Sequence, residues 1–315
     1  MQEVGVIVAR DRIMDDIVKK LEKCCHKEIC SNKSRGWDLL NSLDLPTKKL
    51  ASETVKIVNE CCCTKLYPPI DTDNNNIKQK FSITWRIGEI KEVKSQNALI
   101  GVKENNLETF VMLAQNNTKN DRWINQLPVP NGRIDIYREF ENQLFIYELK
   151  VWVNYRNTPI YSILEALKNY KILPTNENKE TLKKFKINID TFNTVNLVIL
   201  APIKYFVIYN VPDSIKTFFE YIKALEKELK SIHNIEFKVI LQAIDFSDTD
   251  YEQFCNDLIT EINKKEPKRI HRGMEEFNGK WDDYFNILPK SVQANLNCKN
   301  WITISSVSDW TSLVK

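Results

Sequence analysis

Alternating apolar and polar positions near the middle of the chain predict two neighbouring β-strands. Over residues 133–138, Ile134 and Ile136 share one face of the first strand, and residues 144–153 form a second, more apolar run. Residues 139–143 between the two runs are polar enough for a hairpin loop, although they lack the Asn-Gly turn signal. The pattern therefore predicts an antiparallel strand pair at this point.

Helical spacing of apolar residues predicts helices on both sides of this pair. A threonine cap and a proline in the first turn mark one helix start at Thr158-Pro159. The predicted helices cover residues 11–27, a segment that opens at Ser52, residues 104–116, residues 158–172, and a segment capped by Asp213 or Ser214. Further apolar runs predict strands at residues 4–9, 81–87, 195–200, 205–209 and 237–241. Strands separated by helices favour an α/β fold with a mixed sheet.

Three ionisable residues lie inside the two central strands. Asp135 is on the first strand, and Glu148 and Lys150 share one face of the second. Charged groups in apolar runs are costly to bury unless something uses them. An ordinary cross-strand charge cluster on a solvated face is the alternative. Leu144 and Ile146 argue against it, because they share the face of Glu148.

The same three residues indicate a chemistry. Two carboxylates that face each other cannot both stay ionised cheaply without a cation. Oxygen ligands with open positions suit Mg²⁺ or Mn²⁺. A lysine beside them could position a water or stabilise charge on a phosphate. Asp135, Glu148 and Lys150 therefore predict metal-dependent attack of water on a phosphodiester.

Gly132-Arg133-Ile134-Asp135 followed by Glu148-Leu149-Lys150 resembles the restriction-endonuclease-like, PD-(D/E)XK nuclease superfamily. The resemblance covers residues 100–245, and Ile134 stands where the family has a proline. It implies an αβββαβ core, a mixed central sheet flanked by helices, with N-terminal and C-terminal additions. It also implies that Asp135 and Glu148 ligate the metal, with the Leu149 carbonyl as an extra ligand, and that Lys150 is catalytic.

The family usually adds a glutamate from a helix before the first core strand. The segment Leu107-Glu108-Thr109-Phe110 resembles that helix, so Glu108 is expected to complete the site, with Glu104 as the fallback. On this interpretation the chain has three parts. A mostly helical region, residues 1–77, would recognise substrate; residues 78–250 would form the nuclease core; and residues 251–315 would form a helical extension.

Two sets of basic residues are candidates for nucleic-acid binding. Residues 264–272 carry five cations, which would contact a phosphate backbone: Lys264, Lys265, Lys268, Arg269 and Arg272. A solvated helix terminus is the alternative for this segment. Lys168 and Tyr161 lie on the helix after the Glu-x-Lys strand and are candidates for substrate contact, with packing or solvation as the alternative. No base-reading motif is visible.

Composition and charge limit the classes of function expected of this chain. The chain has 315 residues, is 43% hydrophobic and carries a net charge of +3, so it can bury a core but has no basic field over its whole length. It has no apolar run long enough for a membrane span, and the short apolar start does not suggest a signal peptide, so an intracellular protein is expected. The early cysteines lack the paired spacing of a zinc knuckle, and free thiols are the expectation, although a zinc site at Cys24–Cys30 and Cys61–Cys63 stays open.

The sequence thus predicts a Mg²⁺- or Mn²⁺-dependent endonuclease of restriction, defence or repair type, acting on DNA. An RNA-cleaving enzyme with the same site is one alternative. A non-catalytic nucleic-acid-binding or interaction module that keeps the fold is another, and the intact Asp135, Glu148 and Lys150 count against it. A homodimer would supply two sites for two strands.

Overall fold

The computed structural model describes residues 12–27, 30, 37, 39–43, 45–64, 104–115, 118, 120–151, 158–246, 285–286 and 289–314. These residues do not include the strands predicted at 4–9 and 81–87, the boundary predicted near 77 or the basic segment 264–272.

Helices flank a sheet in the described residues. The helices are α1 (Arg12–Cys25), α2 (Thr47–Thr64), α3 (Glu104–Leu113), α4 (Pro159–Ile172), α5 (Lys179–Lys184), α6 (Ile203–Ile208), α7 (Pro212–His233), α8 (Lys290–Leu296) and α9 (Val307–Ser312). The strands are β1 (Asp121–Val129), β2 (Gly132–Phe140), β3 (Gln143–Leu149), β4 (Thr194–Pro202), β5 (Glu236–Ile244) and β6 (Ile302–Ile304). The predicted α/β class with a mixed sheet is confirmed. None of the described helices combines the length and apolarity that a bilayer crossing needs.

The strands form one sheet in the order β1-β2-β3-β4-β5-β6. The first three strands pair antiparallel, β3, β4 and β5 pair parallel, and β6 is antiparallel to β5. The sheet therefore changes from antiparallel to parallel at β3, which carries Glu148. The β4 sequence is almost continuously apolar because helices cover both faces of this central strand.

The core lies on both faces of the sheet. On one face, residues of α1, α2, α4 and α7 pack against β3, β4 and β5. On the other face, α3 and α8 pack with a cluster of aromatic side chains that includes Trp123, Tyr147 and Trp301. Arg138 joins β2 to its neighbour β1, since its guanidinium donates to both oxygens of Asp121 at 2.7 and 2.9 Å. The central strand pair is thus fixed between helices and a paired neighbour.

Several sequence predictions are confirmed and others are wrong. The helices at 11–27, 104–116 and 158–172 are present, and Thr158 caps α4 by accepting from the Tyr161 N–H. The strand predicted at 205–209 is wrong, because those residues belong to α6 and its end, where Tyr205 and Phe206 turn into the core. A short apolar run fits a buried helix as well as a buried strand.

Other errors concern the ends of elements. The helix expected to open at Ser52 begins at Thr47. Neither Asp213 nor Ser214 caps α7, which starts at Pro212. The hairpin turn is tighter than residues 139–143, since Phe140 pairs with Gln143 and Glu141 takes a left-handed φ of 54°. The segment 251–315 is not wholly helical, because it contributes β6, which pairs with β5.

Candidate active site

The strand register brings Asp135 and Glu148 together. Ile136 pairs with Tyr147, and Tyr137 pairs with Ile146, so Asp135 and Glu148 occupy the next facing positions of the β2–β3 pair. Asp135 is half-buried, and its Oδ2 accepts from the Leu149 N–H at 2.9 Å. The backbone of β3 therefore holds the aspartate carboxylate in place.

Lys150 lies between two carboxylates. Its Nζ donates to Glu148 Oε1 at 2.6 Å and to Glu165 Oε2 at 2.8 Å. The Lys150 side chain is 2% exposed, and its backbone N–H donates to the Leu200 carbonyl at 2.9 Å, which extends the pairing of β3 with β4. Asp135, Glu148 and Lys150 thus converge as the sequence predicted, and Glu165 joins them from α4.

Burial perturbs every carboxylate in this group. Burial raises the pKa of Asp135 to about 6, although Lys150 and the Leu149 N–H act in the opposite direction. Burial, followed by the charge of Asp135, raises the pKa of Glu148 well above its ordinary value. Burial also acts to raise the pKa of Glu165. The charges of Lys150 and Lys168 and the hydrogen bonds with Glu148 and Lys150 together outweigh it and lower that pKa. The lowered pKa of Glu165 favours its ionised form as a partner of Lys150, whereas the raised pKa of Glu148 favours its protonated form.

Lys168 is a buried member of the same neighbourhood. Its side chain lies on α4, one turn after Glu165, and is 3% exposed. Its charge acts to lower the pKa of both Asp135 and Glu165. Tyr161, three residues after the cap residue Thr158, is half-buried and packs against the core. Lys168 therefore contributes positive potential inside the site.

Glu108, on helix α3, is hydrogen-bonded to two residues of the neighbouring strand β1. It is 3% exposed on α3, and its two oxygens accept from Asn125 Nδ2 at 2.9 Å and Gln126 Nε2 at 2.5 Å. Asn125 pairs with Ile136 and Leu127 with Ile134, so Gln126 lies across from Asp135. Gln126 thus links Glu108, the predicted third acid, to the position that faces Asp135 across the β1–β2 pair.

Gln126 also has an unusual backbone. Its φ is 50°, a left-handed value that a residue with a Cβ avoids, at a cost of about 1–3 kcal/mol. Its Oε1 accepts from Arg133 Nη1 at 3.3 Å, next to the start of β2. Such strain concentrates at functional sites.

The donor set suits a hard divalent cation. Asp135, Glu148 and the expected Leu149 carbonyl offer only oxygen, which Mg²⁺ and Mn²⁺ prefer. The group has three carboxyls and two lysines. A cation would offset the burial and the carboxylate repulsion that together raise the pKa of Glu148. Among the described residues no group of three or more His, Cys, Asp and Glu side chains is arranged around an ion position. Mg²⁺ commonly completes its coordination shell with waters and substrate oxygens.

Sequence reasoning gave Glu165 no role in the site. Glu165 lies three residues before Lys168 on the same helix, and this spacing was the available signal in the sequence. Whether Glu165 reaches Lys150 depends on how α4 docks on the sheet. Asn125 and Gln126 were not singled out at all.

The chain matches no protein-family profile, no curated protein and no solved structure.

Proposed function

We propose that the chain is a metal-dependent nuclease that hydrolyses phosphodiester bonds in DNA, with Asp135, Glu148 and Lys150 as its centre. The observation that carries this proposal is the convergence of two carboxylates with raised pKa and one buried lysine at facing positions of β2 and β3. Perturbed ionisable groups held together in this way are typical of functional sites.

The proposed fold is a restriction-endonuclease-like core. The element order supports it: helix α3, antiparallel strands β1, β2 and β3, helix α4, and strand β4 parallel to β3. Glu148 and Lys150 stand at the carboxyl end of β3, beside the parallel strands, which is the edge where α/β sheets place their ligands.

The residues divide the chemistry as follows. Asp135 and Glu148, with the Leu149 carbonyl, would hold Mg²⁺ or Mn²⁺, which supplies a Lewis acid and an activated water. Lys150 stabilises negative charge on the phosphate or positions the attacking water. Glu108, fixed by Asn125 and Gln126, orients a water at the edge of the site. Lys168 adds positive potential that favours a phosphate.

DNA as the substrate, an intracellular location and a homodimer belong to the same proposal. The superfamily resemblance favours DNA, and two sites would be needed to cut two strands. The residues proposed to contact the phosphate backbone are Lys264, Lys265, Lys268, Arg269 and Arg272. Lys168, which the sequence also suggested for this contact, is buried and would act only through its positive charge.

One observation favours a non-catalytic alternative. Lys150 already bonds Glu148 and Glu165, and such a buried ion network can serve a structural purpose alone. Against that, ion networks of this kind are a weak source of stability, and apolar residues of similar size are often at least as stabilising.

Incubation of the purified protein with plasmid, single-stranded DNA and RNA, each with Mg²⁺, Mn²⁺ or EDTA, tests the proposal. Cleavage of DNA with either metal and none with EDTA is the expected result. Cleavage of RNA alone would replace DNA with RNA as the substrate. Nucleic-acid binding without cleavage of any substrate would favour the non-catalytic alternative.

A further inference from the structure

Glu165 enters the site from a different element than the other acids. Asp135 and Glu148 come from strands, whereas Glu165 comes from α4 and accepts from Lys150 Nζ at 2.8 Å. Its side chain is 19% exposed, so the contact is largely shielded from water. Lys150 is therefore clamped between two carboxylates, of which only Glu148 is a proposed metal ligand.

The helix that carries Glu165 is anchored on both sides of it. One turn earlier, Ser162 Oγ lies 3.3 Å from the hydroxyl of Tyr205, and both residues are buried. One turn later, Asn169 Nδ2 donates to the Arg133 carbonyl at 3.5 Å. These contacts tie α4 to α6 and to the start of β2. Glu165 thus reaches Lys150 from a fixed element, which is what a precise site requires.

The proposed function makes two demands on Glu148. It accepts from Lys150, and it would also hold a divalent cation. An ammonium on a carboxylate competes with a cation for the same oxygens, because both bind through charge. Glu165 offers the lysine a second acceptor 2.8 Å away, so Lys150 can keep an ion pair without Glu148.

We propose that Glu165 is a positioning residue, which holds the Lys150 ammonium in the site and thereby leaves Glu148 available to the metal. This inference rests on the proposed function. It differs from a simple effect of negative charge, by which any carboxylate near a cation would strengthen its binding.

A double-mutant cycle on Mn²⁺ binding separates these two effects. Calorimetry of the full chain would compare Glu165→Gln in the wild-type background and in Lys150→Met. We expect Glu165→Gln to weaken Mn²⁺ binding about tenfold when Lys150 is present and less than about threefold when it is absent, since the lost contact is a charge-assisted hydrogen bond. Equal factors in the two backgrounds would overturn the inference. The exposed Glu180, replaced by glutamine, is the control for an equal change in net charge.

A second comparison needs no change at Lys150. Glu165→Asp keeps the charge but withdraws the carboxylate from Nζ by one methylene. If the contact matters, Glu165→Asp also weakens Mn²⁺ binding several-fold. If only the charge matters, Glu165→Asp binds Mn²⁺ like the wild type, and the inference fails. This comparison decides the question should Lys150→Met not fold.

The wild-type protein distinguishes failure of the inference from failure of the proposed function. A wild-type chain that neither binds Mn²⁺ nor cleaves nucleic acid would overturn both. A wild-type chain that binds Mn²⁺ and cleaves DNA, while the Glu165 variants show no dependence on Lys150, would overturn the inference alone.

Discussion

Gln126 lies across the β1–β2 pair from Asp135 while its side-chain amide donates to Glu108 at 2.5 Å. One residue with a left-handed backbone therefore connects the helix acid to the strand that carries the first proposed metal ligand. The connection ties Glu108, an acid 27 residues before Asp135 in the sequence, to the strand that pairs with β2.

Replacement of Gln126 tests this link. Gln126→Ala removes a donor from the buried Glu108 carboxylate and keeps the backbone strain, so it should lower the free energy of unfolding by about 1–3 kcal/mol. Gln126→Gly should cost less, because glycine adopts a positive φ without strain and offsets part of the loss. Urea unfolding of the two variants measures the difference. An equal loss in both would show that the φ of 50° stores no strain.

Ionisation of Asp135 should lower the free energy of unfolding as the pH rises through about 6. Its pKa in the folded protein is about 6, above the ordinary 3.8, so the fold prefers the protonated form. The stability that this preference contributes is present below pH 4 and is lost as the pH rises through 6. The gap between the two values corresponds to about 3 kcal/mol. We therefore expect Asp135→Asn to raise the melting temperature at pH 8 by several degrees and to leave it little changed at pH 4.

The same variant should also bind Mn²⁺ more weakly by calorimetry, because asparagine is a neutral ligand. Greater stability together with weaker metal binding would identify a carboxylate kept for function. A Mn²⁺ isotherm identical to that of the wild type would place the metal elsewhere.

Lys150 should matter most for stability when its carboxylate partners are ionised. Lys150→Met leaves Glu148 and Glu165 buried without the shared ammonium, and loss of one partner of a buried pair costs about 3–5 kcal/mol. Carboxyls that take up protons at low pH escape part of this penalty. We expect the destabilisation measured by denaturant unfolding to be larger at pH 8 than at pH 5. The same destabilisation at pH 8 and at pH 5 would mean that Glu148 and Glu165 are not ionised in the folded protein.

Thiol reactivity offers a test of the packing of α1 and α2. Cys24 and Cys63 are exposed, whereas Cys25 and Cys62 are buried, and burial raises the pKa of each of these two thiols to about 12. Since the thiolate is the reactive form, iodoacetamide at pH 8 should label the exposed pair quickly and the buried pair only on unfolding. Peptide mass spectrometry assigns each site. Rapid labelling of Cys62 in the native protein would contradict the packing of α2.

Period-two alternation was enough to predict the central pair and the shared face of Glu148 and Lys150, since strand geometry alone fixes which residues lie side by side. It did not reveal β1, where Pro128 and the polar Asn125 and Gln126 interrupt the pattern. Proline is tolerated there because β1 lies at the edge of the described sheet.

Residues brought in by helix docking were harder to predict. Glu165 follows the helical spacing of α4, but its contact with Lys150 depends on how that helix sits on the sheet. The segment around Tyr205 and Phe206 was predicted as a strand because five apolar residues carry no period that separates strand from buried helix. Local patterns thus located the chemistry on the strands, and tertiary packing supplied the partner from α4.

The most direct test of Lys150 as a catalytic residue is metal-dependent nicking of supercoiled plasmid by the wild type and by Lys150→Met. We expect nicking with Mg²⁺ or Mn²⁺, none with EDTA, and a rate at least about 100-fold lower for the variant under conditions where circular dichroism shows it folded. Full activity of folded Lys150→Met, or wild-type nicking that persists in EDTA, would contradict this expectation.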